Sequence, residues 1–503
     1  MIRKNLLKPF TTFLCTSFFL LIMMGTAVNA QQWGNYTLYS TMNGTTTYLI
    51  DTNNVNFHTW TTTTTYKTCY SSYLVAGGTL VRTVGKSGNS FSGGPICGEV
   101  QKVDWNGNVI WDYVYSTSQY CTHHDIHPMP NGNVLLIAYE RKTPAEVIAA
   151  GCSVFSGEMW PDKIVEVQPA GTNGGNIVWE WHAWDHLVQN TNALAANYQT
   201  SIVDHPELLN INYKTSKDWM HMNGVSYNPI LDQITFSCHN LDELYVIDHS
   251  TTTAQAAGHT GGNSGKGGDI LYRWGNPDAY DAAGTQIFDV VHDAHWVPEG
   301  SPNAGYLVGY NNKGISSNAS CVDQIAPPYN GYNYSITLGS AFAPATYTLR
   351  QSSGGYNSNM GNSQQLPNGN MLLCVATAGL IKEFDAAGTL LWSKIATGAV
   401  PKAYRYDSCY VVNAAPAIPT ITQNADTLFS SAAVTYQWYF NGQLIAGATS
   451  QFYVAAQIGN YIVRITDANG CVNQYSVTYH YSGPTGLTEI KNNSSIQIYP
   501  NPT

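Results

Sequence analysis

The sequence predicts an all-β protein, in which a six-bladed β-propeller is followed by a small β-sandwich. Composition is the first indication: of 503 residues, 11% are charged and 12% are aromatic, with 34 tyrosines, which is typical of strand-rich folds with little helix. The second indication is a unit of strands and turns that recurs along the chain. The third is a change in sequence character after Cys409.

Residues 1–30 have the pattern of a cleavable secretory signal. A basic start precedes an apolar stretch over residues 13–24, and small residues lead to a cleavage position after Ala30. No second apolar run approaches the length of a membrane span. We therefore expect an exported chain without a membrane span, carried through the periplasm and then secreted or held at the cell surface. Ten cysteines less Cys15 leave nine, an odd number, so disulfides are expected together with at least one free thiol.

Residues 31–412 contain the recurring unit. Six imperfect copies between about residues 45 and 412, each roughly 60 residues long, predict six blades with loop insertions. Asn-Gly turns between apolar runs, as at residues 130–133 and 367–370, predict hairpins. The insertions at residues 183–217 and 254–268 are expected over one face. A large β-sandwich also fits the turn spacing, but it does not predict the repeated tryptophan and histidine phrases.

Three histidine-bearing phrases occupy similar places in their units. They lie at residues 123–127, 218–223 and 292–296, each after a tryptophan-rich run and before a turn and an apolar strand. Equivalent positions in the blades of a propeller face a common axis. The imidazoles of these phrases are therefore expected to converge on one axial pocket.

The chain changes in character after Cys409. A Pro/Ala linker at residues 414–419 leads into short alternating strands over residues 417–482, which resemble a bacterial immunoglobulin-like repeat. Residues 483–503 form a polar linker that ends in a segment resembling the start of the type IX secretion sorting domain of Bacteroidetes. That resemblance implies the type IX secretion machinery as a partner.

The phrases of the repeated units together resemble those of the bacterial arylsulfotransferases over about residues 36–410. Members of that family are exported six-bladed propellers that move a sulfuryl group from an aryl sulfate to a phenol without a nucleotide donor. The resemblance therefore implies small aryl sulfate and phenolic ligands and no cofactor. The matching phrases are Asp218-Trp219-Met220-His221-Met222-Asn223, Tyr227-Asn228-Pro229, Ser237-Cys238-His239, His292-Asp293-Ala294 and the Pro-Asn-Gly-Asn turns.

The resemblance implies a set of site residues. His221 and His292 match the family's catalytic histidines, and imidazoles can act as nucleophile, acid or hydrogen-bond donor near neutral pH. Lys313 stands near the place where the family has an arginine. The family's nucleophilic histidine comes from a late blade, yet this chain has no histidine between His295 and His480. Candidate substrate-binding residues are His124, Asn223, His239 and Lys313, whereas His127, His182, His186, His205 and His295 are expected to be packing residues.

Two other functions stay open at this point. One is an axial metal site, for which nitrogen and oxygen ligands could come from His124, Asp125, His221, His239 and His292, although no local ligand spacing supports it. The other is a propeller without turnover that binds or displays aromatic or sulfated ligands. A nucleic-acid partner is not expected, because the net charge of -10 is spread along the chain without a basic block.

Overall fold

The computed structural model describes residues 32–62, 66–468, 470 and 472–484. The predicted signal segment and the segment that resembles a sorting domain lie outside these residues. Up to residue 406 the strands are β1 (Tyr36–Ser40), β2 (Thr46–Asp51), β3 (Asn56–Thr61), β4 (Lys67–Val75), β5 (Thr79–Gly85), β6 (Gly98–Val103), β7 (Val109–Val114), β8 (Tyr120–Pro128), β9 (Val134–Glu140), β10 (Asp162–Ala170), β11 (Gly174–His182), β12 (Leu187–Val188), β13 (Leu209–Asn210), β14 (Met222–Asn228), β15 (Gln233–Cys238), β16 (Glu243–Asp248), β17 (Tyr272–Trp274), β18 (Val291–Trp296), β19 (Leu307–Ser316), β20 (Ala319–Ile325), β21 (Tyr329–Asn330), β22 (Asn333–Tyr334), β23 (Leu349–Ser352), β24 (Asn362–Gln365), β25 (Met371–Val375), β26 (Leu380–Phe384), β27 (Leu390–Ile395) and β28 (Ala403–Tyr406).

These strands form consecutive four-stranded antiparallel sheets, and their innermost strands make a closed ring. The sheets are β28-β1-β2-β3, β4-β5-β6-β7, β8-β9-β10-β11, β14-β15-β16-β17, β18-β19-β20-β23 and β24-β25-β26-β27, and β12-β13 and β21-β22 are short additional pairs. The first strand of each sheet contacts the first strands of both neighbours, in the order β28, β4, β8, β14, β18, β24 and back to β28. The arrangement is therefore β-propeller-like.

The ring is closed by strands from opposite ends of its sequence. β28 pairs with β1 in antiparallel register, with Tyr36 opposite Tyr406 and Tyr39 opposite Ala403. The first sheet thus takes its innermost strand from the end of the ring and its other three strands from the start. A disulfide between Cys69 and Cys97 joins β4 to the segment just before β6, with a Cα separation of 5.6 Å.

Tryptophans on the outer strands of five of the six sheets bond to the next sheet. The indole N–H of Trp60 on β3 donates to the carbonyl of Asp104 in the following sheet, and Trp111 on β7 donates in the same way to Gly174. Trp181, Trp274 and Trp392 repeat this bond with Gly268, Pro344 and Thr52. A buried indole N–H needs an acceptor. The recurrence of tryptophan in the sequence therefore reflects one repeated bond between neighbouring sheets.

Helix is a minor component of the described residues. The helices are α1 (Pro144–Ala149), α2 (Thr253–Ala256) and α3 (Cys409–Val412), and single 3₁₀ turns occupy Ala183–Asp185, Pro277–Tyr280 and Ala376–Ala378. None of the helices in the described part of the chain has the length and apolar character needed to cross a membrane.

A small C-terminal module follows α3. Its strands are β29 (Ile421–Asn424), β30 (Thr427–Ser430), β31 (Tyr436–Phe440), β32 (Gln443–Leu444), β33 (Phe452–Val454), β34 (Gly459–Thr466), β35 (Asn473–Tyr475) and β36 (Tyr479–Tyr481). They form two sheets, one of β29-β30-β33 and one around β31 and β34, and Trp438 lies fully buried in their shared core.

The C-terminal module packs on one end of the ring. Tyr439 donates its hydroxyl to Glu299, and Gln474 donates to the carbonyl of Pro130. Ile230 packs against Tyr439 and Ile462. A cavity of about 370 Å³ lies at this end of the axis, lined among others by Tyr73, His127, His295, Tyr404 and Tyr475. We call this the module end, and the opposite end of the axis the histidine end.

Candidate active site

Irregular backbone marks the histidine end of the inner strands. The pairing of β8 shifts between Thr122 and Ile126, and the pairing of β18 shifts between His292 and His295. His124 (φ +48°), His221 (φ +54°) and Asp293 (φ +61°) adopt left-handed backbone there. Such backbone is costly for residues other than glycine, and it concentrates at functional sites.

Four histidines of the predicted set, His124, His221, His239 and His292, lie in one row at this end. We call them the histidine cluster. The ring centroids of His124 and His221 are 4.6 Å apart, those of His221 and His239 are 5.2 Å apart, and those of His239 and His292 are 5.5 Å apart. They come from three neighbouring sheets. The structure thus brings together both predicted catalytic residues and two of the predicted substrate-binding residues.

His221 is oriented by a carboxylate. Its Nδ1 lies 2.7 Å from Oδ2 of Asp218, and the hydroxyl of Tyr139 donates to the same oxygen at 3.2 Å. Burial raises the pKa of Asp218, but the hydrogen bond and charge of His221 outweigh it and hold that pKa below its ordinary value. An ionised Asp218 accepts the Nδ1 proton, so Nε2 of a neutral His221 carries a free lone pair. The His221 side chain is 19% exposed.

A second chain of bonds leads to His124. Nε2 of His123 lies 2.8 Å from Oδ1 of Asp162, and Nδ1 of His123 lies 2.7 Å from Nδ1 of His124. All three side chains are buried. Burial lowers the pKa of both histidines well below the ordinary value and raises that of Asp162 well above it. The neutral forms of Asp162, His123 and His124 are therefore favoured, and Asp162 carries a proton.

The position of that proton sets the tautomer of His124. When Asp162 is protonated it donates to His123, His123 donates to His124, and His124 carries its own proton on Nε2. When Asp162 is ionised, each of these bonds reverses and Nε2 of His124 becomes an acceptor. Asp162, His123 and His124 thus form a proton relay that ends at the histidine cluster.

His239 and His292 differ in how their nitrogens are used. Nδ1 of His239 bonds to Oδ1 of Asn240 at 2.8 Å. His292 is engaged at both nitrogens: Nδ1 lies 2.7 Å from Oδ1 of Asn312, and Nε2 accepts the backbone N–H of Met360 at 3.0 Å. Among the residues that the structure describes, none bonds to Nε2 of His124, His221 or His239. These three nitrogens, and not those of His292, are free for a ligand.

The other two predicted substrate-binding residues have internal partners. Asn223 is fully buried; its amide N–H donates to the carbonyl of Val291, and its oxygen accepts the hydroxyl of Ser237. Asn223 therefore links two inner strands. Lys313 pairs with Asp289 at 3.0 Å and is partly exposed. Asp289 borders a shallow depression that also includes His239 and Asn240, so Lys313 lies at the rim of the site.

A buried ion triad closes the axis on the far side of the cluster. Nζ of Lys402 bonds to Oδ2 of Asp125 at 2.5 Å and to Oδ1 of Asp293 at 2.7 Å. Burial lowers the pKa of Lys402, but the two carboxylates outweigh burial and raise it well above its ordinary value. Asp125 also accepts the hydroxyl of Tyr73 and the N–H of Val225. Its oxygens are thus already bound, which leaves the proposed axial metal site without its carboxylate.

The late sheet contributes no histidine at this level. Met360, just before β24, has the same left-handed backbone (φ +62°) as His221 just before β14. Its N–H is the donor to His292. The late sheet therefore carries a methionine just before its first strand, where the β14 sheet carries His221.

Several site residues were not singled out from the sequence. They are Asp218, His123, Asp162, Tyr139 and Lys402. Asp218 had a usable signal, because it lies three positions before His221 in the same phrase. The sequence gives no such signal for Asp162 or Lys402, because their partners are remote in sequence and the residues on either side of them resemble ordinary strand ends.

The comparisons with known proteins agree with this geometry at the level of a family. The profile of the Arylsulfotransferase (ASST) family matches residues 43–397, which spans most of the ring. No curated protein matches the chain.

Several solved structures are similar to parts of the chain. A protein of unknown function from Bacteroides caccae is 9% identical, with a TM-score of 0.43, over 74% of this chain and 98% of that one. A putative 6-phosphogluconolactonase from Bacteroides fragilis is 12% identical, with a TM-score of 0.36, over 74% of this chain and 97% of that one. A streptogramin B lyase is 10% identical, with a TM-score of 0.33, over 80% of this chain and 92% of that one.

Proposed function

Because this chain belongs to the arylsulfotransferase family, we propose that it transfers a sulfuryl group from an aryl sulfate to a phenolic acceptor at the histidine cluster. The observation that carries the proposal is the Asp218–His221 pair, in which a carboxylate fixes the imidazole so that a free Nε2 points into a group of other histidines. A nucleophile held by a carboxylate beside an acid is the arrangement that group transfer needs.

In the first half-reaction, Nε2 of His221 attacks the sulfur of the aryl sulfate. A nitrogen–sulfur bond forms, the bond from sulfur to the aryl oxygen breaks, and its electron pair leaves on that oxygen. Asp218 offsets the positive charge that develops on the imidazole. His221 thereby takes the place of the family's late-sheet nucleophile.

The proton for the leaving phenolate comes through the relay. Nε2–H of His124 donates to the phenolate oxygen, His123 replaces that proton, and Asp162 replaces the proton of His123. The carboxylate left at Asp162 is stabilised by the N–H of Met222, which lies 2.8 Å from Oδ2. In the second half-reaction the acceptor phenol loses its proton to Nε2 of His124, the relay returns to its starting state, and the phenol oxygen displaces His221 from sulfur.

Two further groups are placed to bind the sulfuryl oxygens. His239 lies next to His221. Its Nδ1 donates to the Asn240 amide oxygen, so its Nε2 donates to a sulfuryl oxygen when the ring takes up a second proton. Among the described residues, none bonds to the buried hydroxyl of Tyr70, whose ring lies 5.0 Å from that of His124. A buried hydroxyl without a partner is unfavourable unless a ligand supplies one. We assign both groups to the substrate.

The architecture and location are part of the same proposal. The six four-stranded sheets are the blades of one propeller, and the C-terminal module is immunoglobulin-like. Export through the predicted signal and the type IX machinery is supported by the sequence and by the Cys69–Cys97 disulfide, since such bonds form in oxidising compartments.

The test is turnover of a chromogenic aryl sulfate with a phenol acceptor. His221→Asn is the informative variant, because asparagine tolerates the left-handed backbone of that position. We expect transfer by the wild type and a loss of about three orders of magnitude or more in the variant. His205→Asn, in a partly exposed pair with Glu207, is the matched control and should retain full activity.

Mass spectrometry of protein trapped in alkali identifies the intermediate. A sulfate adduct on the peptide that contains His221 supports the proposal. Tight binding of the aryl sulfate without turnover would instead show a ligand-binding propeller and overturn the proposed transfer.

A further inference from the structure

A second group of nitrogen and oxygen donors lies in two insertions of the ring. Nδ1 of His186 is 3.0 Å and Nδ1 of His259 is 2.7 Å from the same oxygen, Oδ1 of Asp269. The three ligand atoms all lie within 4.8 Å of one another. The sequence placed His186 among packing residues. We propose that His186, His259 and Asp269 bind one divalent transition-metal ion of the Zn²⁺ class.

The hydrogen bonds of His186 call for a positive charge between it and Asp269. Nε2 of His186 lies 2.8 Å from the carbonyl oxygen of Ala256. A carbonyl only accepts, so Nε2 carries the proton and Nδ1 of a neutral His186 presents a lone pair to a carboxylate oxygen. Two facing lone pairs repel unless a proton or a metal ion lies between them. A metal ion at this point turns both into ligands.

The hydrogen bond from Nε2 of His186 to the Ala256 carbonyl is also typical of metal-binding histidines. Such histidines donate their second N–H to a carbonyl or carboxylate, which fixes the tautomer and the ring orientation. The His186 ring is buried and lies parallel to that of Trp181, with centroids 5.6 Å apart and planes at 5°. His186 is therefore held in place before any ion binds.

Glycines allow the chain to wrap tightly around this site. A Cβ on Gly268 would lie 1.9 Å from the Ala256 oxygen and 2.7 Å from Nε2 of His186. The N–H of Gly268 bonds to the carbonyl of Gly258, and the carbonyl of Gly268 accepts the indole N–H of Trp181. These bonds return the chain on itself between His259 and Asp269. The glycine-rich run of the sequence thereby brings two ligands together.

The donor set and its exposure fit Zn²⁺. Two imidazole nitrogens and one carboxylate oxygen are common zinc ligands, and sites with three protein ligands leave a fourth position for water. Ligand atoms that each lie about 2.1 Å from a tetrahedral ion are roughly 3.4 Å apart. The two histidine nitrogens must therefore move away from Oδ1 of Asp269 by a few tenths of an ångström. His259 can provide this movement because its side chain is 62% exposed. The bound ion would fasten the glycine-rich segment to the insertion that carries His186.

Zinc binding by the full exported chain, purified without a polyhistidine tag and treated with chelator, tests the proposal. Equilibrium dialysis against Zn²⁺ with elemental analysis gives the stoichiometry, and thermal unfolding gives the stabilisation. We expect His259→Ala to lose one ion per chain, with affinity at this site at least about 100-fold weaker, and Asp269→Asn to do the same. Zinc should raise the melting temperature of the wild type but not of these variants.

Two controls separate this site from other histidines. His205→Ala removes a partly exposed histidine of the insertion that also carries His186. His221→Asn removes a histidine of the axial cluster. Each variant should keep the ion that His259→Ala loses. Because His259 is exposed, circular dichroism should show an unchanged fold in its variant. Equal zinc binding by wild type and His259→Ala, or no binding by the wild type, would refute the site.

Discussion

At the residue scale, the histidine end combines strained backbone with paired side chains. His124, His221 and Asp293 all have positive φ, and each has a charged or imidazole partner. Strain of this kind persists only where the surroundings fix the residue. It places Nε2 of His124 and of His221 in the same small volume, which is the condition for the transfer proposed above.

The relay predicts a specific kinetic signature for Asp162→Asn. The amide can still bond to His123, but it cannot release a proton, so the leaving phenolate departs unprotonated. We expect kcat to fall by about two to four orders of magnitude for donors with poorly acidic phenols, and much less for nitrophenyl sulfate. A series of substituted phenyl sulfates measures this dependence. Asp204→Asn, at an exposed position, is the control, and equal losses across the series would contradict the relay.

A largely buried histidine, His249 at the ring's periphery, predicts a pH dependence of stability. Burial lowers the pKa of His249, but hydrogen bonds to Asp232 and Glu166 outweigh it and raise that pKa to about 9. The folded pKa exceeds the ordinary 6.5, so the stabilisation is complete below pH 6.5 and is lost as the pH rises through 9. Denaturant unfolding from pH 6 to 10 should show this loss, and His249→Gln should reduce it. An unchanged slope in the variant would exclude this assignment.

At the element scale, the inner strands of neighbouring sheets approach closely enough to require glycine. A Cβ on Gly224 in β14 would lie 2.8 Å from the backbone N of Ala294 and from Cα of Asp293 in β18. Backbone atoms in a ring cannot move aside as a flexible side chain can. The contact therefore sets the spacing between β14, which directly follows His221, and β18, which carries His292.

Gly224→Ala should consequently destabilise the protein by about 1 to 3 kcal/mol, the usual cost of overpacking. Chemical denaturation measures the change. Gly85→Ala in β5 is a matched control, because the added Cβ meets only the Lys67 carbonyl at 3.7 Å. A variant at Gly224 that is as stable as the control would show that the strands can separate without cost.

The strands and their tryptophans were largely predictable, whereas many of their tertiary partners were not. Trp111 and Trp392 each mark an outer strand, because a repeated indole beside a turn is visible in the sequence. The convergence of His124, His221 and His292 follows from equivalent places in repeated units. By contrast, no local pattern indicates that Met360 offers its N–H to His292, or that Lys402 meets Asp125, since these contacts depend on how separate sheets pack.

At the scale of the whole molecule, Lys402 joins three parts of the chain. Its ammonium bonds to Asp125 on β8 and to Asp293 on β18, while the residue itself directly precedes β28. The triad therefore connects inner strands from opposite sides of the ring.

Lys402→Met should leave two buried carboxylates without a partner, and removal of one member of a buried ion pair typically costs about 3 to 5 kcal/mol. We expect a large fall in unfolding free energy that is partly recovered at low pH, where the carboxylates take up protons. Lys67→Met, at an exposed strand end, is the control. Stability equal to that of the control at neutral pH would show that the triad does not hold the ring together.

The closure of the ring by β28 also governs when the protein can fold. Tyr36 and Tyr406 are opposite each other although 370 positions separate them (406 minus 36). Contacts between such distant parts of a chain slow folding. A chain that is still being synthesised lacks the strand that pairs with β1 and the ammonium that bonds to Asp125 and Asp293. The topology thus leaves the Lys402 triad incomplete until synthesis has passed the last strand, so that closure of the ring waits for the whole chain.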